Sequence, residues 1–217
     1  MQAIERINNS QDWITLLFLA CILLLVLAKM LYPQRFDEFI NLFGSGKFMA
    51  FKGKENKAFH GFNILMLCVQ LLAVSAFLFI AYRYFFDSEL PSLILFIRIF
   101  TAYTCLILLK TGVEKIVGNI FEIDEKMDYY VFQKISYRNF ISLFVLVMTI
   151  LLVYTIKVSM VILAVTGGLM LLANAIALFI IYRRNQNIIE TNWFYFILYL
   201  CALEIAPYFI LFKLITR

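Results

Sequence analysis

The chain has 217 residues, 64% of them hydrophobic and 17% aromatic, with 15% charged residues and a mean hydropathy of +0.89. A water-soluble domain carries about a quarter charged residues and about half apolar ones, so a soluble enzyme of this size is excluded and an integral membrane protein is expected. Continuous apolar runs argue against both disorder and the alternating pattern of a β-barrel, and a formal charge of +5 reads as loop asymmetry rather than affinity for nucleic acid.

A polar leader precedes an apolar run over residues 13–32, which is too long for a signal-peptide core and is ended by Pro33. In residues 35–44 the apolar side chains Phe36, Phe39, Ile40 and Phe43 recur at i, i+3, i+4 and i+7, the pattern of an amphipathic helix that lies in the lipid interface or packs on the bundle. Gly44-Ser45-Gly46 closes it. Lys47, Lys52, Lys54 and Lys57 follow, interleaved with Phe48 and Phe51. That pattern suits anionic headgroups, each cation contributing about 1 kcal/mol near a charged leaflet, or simple topological retention.

The second apolar run covers 62–82 and the third 91–111, the latter opened by a helix-start proline, Pro91. Ile116, Val117, Ile120 and Phe121 keep a helical stripe beyond it, so this helix is expected to continue out of the membrane. Residues 140–182 form one apolar stretch punctuated only near Lys157. As a single helix it would be about 60 Å long, twice the hydrocarbon thickness, so a hairpin at Lys157 divides it into spans 140–156 and 158–182. A last run covers 193–214. The expected fold is all-α: one polytopic transmembrane helix bundle over 1–217 with six spans and short amphipathic interfacial or cytoplasmic helices.

Six spans place the segments 33–61, 112–139 and 183–192 together on one side. That side holds 11 Lys and Arg against 5 on the side of the termini. The positive-inside rule makes the rich side cytoplasmic and leaves both termini outside.

Two charges fall deep within spans, Arg98 in the third and Glu204 in the sixth, the latter three residues before Pro207. Intramembrane charges cost several kcal/mol and normally pair or face water. An Arg98–Glu204 pair tying the two helices together is one reading, and an ion- or proton-responsive carboxylate in a cavity is the other. Gln70 and Asn174 are side-chain amides within spans, expected to bond to another helix at about 0.6–2 kcal/mol each. Gly167-Gly168 allows a close helix approach or a kink, and Lys29 and Lys110 sit where they can snorkel.

Catalytic parts are scarce. His60 is the only histidine, Cys21, Cys68, Cys105 and Cys201 lack paired spacing, and no phosphate loop, zinc motif or nucleophile elbow is present. No catalytic residue, metal site or cofactor is therefore expected.

The segment from Phe132 to Asn139, the exit Tyr32-Pro33-Gln34-Arg35-Phe36 and the re-entry Phe59-His60-Gly61-Phe62 resemble an uncharacterised domain-of-unknown-function family of multi-pass inner-membrane proteins of Bacteroidota. The resemblance spans nearly the whole chain and implies an inner-membrane location and an envelope role. It makes Lys134, Tyr137, Arg138 and Asn139 candidates for a cytoplasmic interface, beside their plainer role as a helix-entry anchor. The expected function is a non-enzymatic subunit or scaffold of a larger cell-envelope complex, for example in secretion or surface assembly, with other membrane subunits and lipid as partners. The alternative is a small transporter or lipid-handling protein with a polar site at Arg98 and Glu204.

Overall fold

The computed structural model describes residues 12–41, 61–86, 91–120, 124–155 and 158–184. They form six helices: α1 (Asp12–Leu31), α2 (Pro33–Ile40), α3 (Gly61–Phe85), α4 (Ser92–Ile120), α5 (Asp124–Tyr154) and α6 (Met160–Arg184). All but α2 are long and apolar enough to cross a membrane, so the described residues hold five candidate spans. The expected span 193–214, Glu204, His60, Phe43 and the lysines at 47, 52, 54 and 57 lie outside the described residues.

Pro33 and Pro91, the prolines among the described residues, act where expected. Pro33 occupies the first turn of α2, where a missing N–H costs no helical hydrogen bond. The carbonyl of Pro91 accepts from Leu95 N at 3.1 Å and opens α4. The long apolar stretch is divided, α5 ending at Tyr154 and α6 starting at Met160; the residue at the expected hairpin, Lys157, is not among those described. Tyr84 Oη accepts from the N–H of Met160 at 3.1 Å and so caps α6 from the end of α3.

α3 and α5 are the inner helices. Of their most apolar stretches 56% is buried, against 17% for α1, α4 and α6. An outer helix of a membrane bundle turns most of its apolar surface to lipid and needs little packing on each side. One core group joins Ile14, Phe18 and Cys21 of α1 to Val69 and Ala73 of α3, Phe96 of α4 and Leu146 of α5. Trp13 closes this end, its ring 5.4 Å from Phe79 and 5.1 Å from Phe96, while its Nε1 donates to Ser92 Oγ at 3.3 Å. Beside Trp13 a small space is lined by apolar side chains, Ile14, Phe18, Phe79 and Phe96 among them.

The other core group gathers where α2 sits. Phe39 is the buried residue of α2, with ring centroids 5.6 Å from Phe62 and 5.8 Å from Phe140. The amphipathic helix thus docks on the bundle through Phe39, while Ile40 of the same stripe remains 50% exposed. Lys29 does not simply reach for water: its Nζ lies 5.9 Å from the Phe36 ring centroid.

Gly61 opens α3 against Tyr32. A Cβ at this position would lie 2.5 Å from Tyr32 Oη and 3.3 Å from Cζ. Gly61→Ala is therefore expected to destabilise the protein by about 1–3 kcal/mol, as overpacking does. Tyr32→Phe should restore part of the loss, which a double-mutant cycle on unfolding in detergent will measure; additive effects would refute the clash. Around Gly167-Gly168 the described residues leave room. α6 runs through both, a Cβ at 167 would make an ordinary 3.9 Å contact with Phe77, and at 168 nothing lies within 4 Å.

Candidate functional site

α4 and α5 are longer than a bilayer requires. At 29 and 31 residues they extend to about 44 and 46 Å, against a hydrocarbon core of about 30 Å. The excess lies at the α2 end, where the two helices approach the short connection 121–123. Sequence reading placed 112–139 as a cytoplasmic segment before span 140–156; the helix begins sixteen residues earlier than that span, at Asp124. The polar residues between these points are interior, because every residue from Tyr130 to Tyr137 is buried.

This interior holds the charged centre of the structure. Lys134 Nζ lies 2.7 Å from Glu114 Oε1, with the two side chains 9% and 3% exposed. The ammonium also stands 5.7 Å from the Tyr130 ring centroid, a cation–π arrangement that strengthens as water is excluded. Charge-assisted bonds of this length are among the strongest in proteins. Nearby, Lys115 Nζ and Asp128 Oδ1 are 3.3 Å apart but about 40% exposed, a setting in which an ion pair contributes little.

Lys134, Tyr137 and Asn139, expected at a cytoplasmic interface, are instead buried within the chain, at 8%, 5% and 1% exposure. Among the described residues, neither amide atom of Asn139 has a hydrogen-bond partner, and Arg138 Nε is likewise buried and unbonded. Each unmade bond costs roughly 1–3 kcal/mol, and an apolar side chain would pack at 139 without that cost. Ser136, Ser142 and Thr149 of α5 behave more simply, returning their hydroxyl protons to carbonyls of their own helix at 2.8, 2.6 and 2.6 Å.

The intramembrane amides divide. Gln70 Nε2 of α3 donates to Tyr103 Oη of α4 at 3.1 Å, a cross-helix bond. Asn174 Nδ2 donates at 2.9 Å to the Met170 carbonyl of its own helix. Because Gln70 Oε1 is buried and unbonded among the described residues, Gln70→Leu removes a cost along with a bond and should be near neutral. Tyr103→Phe leaves the buried amide N–H without this acceptor and should cost about 1–2 kcal/mol. Thermal unfolding of the two variants in detergent tests the order; a larger loss for Gln70→Leu would refute it.

Arg98 is exposed on α4, and its guanidinium makes no ion pair or hydrogen bond with another described residue. Its expected partner, Glu204, is not among them. The thiols of Cys21, Cys68 and Cys105 are free and sit on three different helices.

The α2-end assembly draws on Tyr32, Gly61, Phe62 and the stretch from Phe132 to Asn139, segments far apart in sequence. A family model matches residues 14–215, almost the full length. The chain belongs to the family described as Domain of unknown function (DUF4271). No curated protein and no solved structure matches it. For a DUF4271 chain this concentrates attention on the Glu114–Lys134 centre and its surroundings, since these, and not Arg98, are the charges the described fold encloses.

Proposed function

We propose that this protein is a non-enzymatic inner-membrane subunit or scaffold of a larger envelope complex in Bacteroidota, serving secretion or surface assembly. In this reading the α2 end faces the cytoplasm and both termini face outward, in accord with the basic residues that the sequence gathers at that end.

The observation that supports it is Arg98. It lies six residues into α4, on a helix whose apolar stretch is only 17% buried, and its side chain is exposed. A guanidinium facing lipid at that depth costs about 2.5–3.5 kcal/mol or more at the bilayer centre. A polar or acidic helix from another subunit covering this face of α4 removes that cost and makes Arg98 a docking residue.

Purification in mild detergent, followed by mass spectrometry, should yield a stable membrane partner that Arg98→Leu releases. A solitary monomer would overturn the proposal. So would rescue of Arg98→Glu by Glu204→Arg with no partner present, because the face would then be closed within the chain.

A further inference from the structure

Helix α2 is seated through a single side chain. The rings of Phe62 on α3 and Phe140 on α5 lie 5.6 and 5.8 Å from that of Phe39, the buried residue of the helix. Tyr32 alone separates α2 from α1, so on that side the helix is joined to the bundle by a one-residue link.

Unmade hydrogen bonds gather at this seat. Glu38 stands next to Phe39, and its Oε2 is buried and unbonded; Arg138 and Asn139 immediately precede Phe140 and add Nε and both atoms of the amide. These are four of the eight buried, unbonded side-chain atoms among the described residues, and all four stand within two positions of the Phe39–Phe140 contact. Asn139 is 1% exposed. The set contains donors and acceptors, yet in the seated position each has lost water without gaining a partner. That cost opposes the burial of Phe39.

A second position suits α2 as well. Phe36, Phe39 and Ile40 form one apolar stripe, with Asp37 and Glu38 off it, and Ile40 is already 50% exposed. A short amphipathic helix of this pattern lies at the boundary between headgroups and acyl chains. There Phe39 stays out of water, while Glu38, Arg138 and Asn139 regain it. Two positions that trade one favourable term for another form a bistable element.

We propose that α2 is a lid hinged at Tyr32, closed when Phe39 sits between Phe62 and Phe140 and open when its apolar stripe lies on the adjoining leaflet. Opening admits water to Arg138 and Asn139 on the inner helix α5. The lid is independent of the partner-subunit reading, which rests on Arg98 near the other end of α4.

Hydrogen exchange of the full chain in phospholipid nanodiscs reads the open fraction from the amides of α2. In wild type these should exchange faster than the amides of α3 and α5. Asn139→Leu removes two unmade bonds from the closed form and should raise α2 protection at least about tenfold, with little change in α3. Glu38→Gln leaves the inner helices untouched, should raise it by a smaller factor, and serves if the leucine variant does not fold. Exchanging saturated for unsaturated acyl chains, which loosens the leaflet, should lower α2 protection. Wild-type α2 protection equal to that of the inner helices overturns the lid. So does unchanged or reduced α2 protection in both variants, or a rise by the same factor in every helix. Protection indifferent to acyl packing overturns the leaflet as the open position.

Discussion

Glu114→Leu is expected to destabilise the protein by about 3–5 kcal/mol, the largest effect of any single substitution considered, because it strands the Lys134 ammonium in an enclosed site. The counterpart Lys134→Met strands a carboxylate and should cost a similar amount. The double variant Glu114→Leu/Lys134→Met should recover most of the loss, because a buried ion pair gains little over well-packed apolar residues of similar volume. The geometry favours a strong coupling: the contact is 2.7 Å and both side chains are nearly sealed, so neither solvent nor salt can replace the missing partner. Unfolding of the purified chain in detergent, followed by helical signal against denaturant, provides the cycle. If the double variant loses as much as the sum of the singles, the two groups act independently and the pair is not the lock described here. Lys115→Ala at the neighbouring pair, which is about 40% exposed, should change stability by at most about 1 kcal/mol and calibrates the measurement.

Much of this architecture was legible because the bilayer imposes simple rules. Apolar length located α1, α3, α4 and α6 closely; Pro33 marked the end of the first span and Pro91 a helix start through their missing N–H groups. The stripe through Ile116, Val117 and Ile120 foretold that α4 would run on past the apolar stretch. The opening of α5 was not read, and for a physical reason. Between Asp124 and Arg138 the chain is rich in charge, and hydropathy assigns charge to solvent, whereas here Lys134 is partnered inside the protein by Glu114. Lys134 consequently read as an anchor at the membrane surface. A signal for its true role was available: Glu114 and Lys134 lie seven and eleven residues from the segment 121–123, so an antiparallel helix pair brings them within about a turn of each other. Gln70 was legible as a cross-helix amide, but its partner, Tyr103, was not, because an aromatic residue in a span is indistinguishable by type from lipid-facing ones. The amphipathic stripe of α2 named Phe39 without deciding between lipid and protein; the rings of Phe62 and Phe140 decide it.

Phe39→Ala is expected to have the second-largest effect, with a distinctive spatial pattern. Removing a fully buried phenylalanine costs about 3–5 kcal/mol when the surroundings cannot collapse. Phe39 is 1% exposed between two rings, yet it sits on a helix of eight residues. Such a short helix has little stability of its own and depends on this side chain for its docking. The chain can therefore release α2 instead of leaving a cavity, and the loss of global stability is capped at the free energy of that docking. Hydrogen exchange in detergent should show the amides of α2 losing protection in Phe39→Ala by the full docking energy, while those of the inner helices α3 and α5 change little. Ile40→Ala, on the exposed side of the same helix, should alter exchange by no more than about 0.5 kcal/mol. Unchanged protection of α2 in Phe39→Ala would mean that the helix is held by something other than the Phe39–Phe62–Phe140 contact. Uniform loss across all helices would mean that α2 unfolds only together with the bundle and is part of its cooperative core.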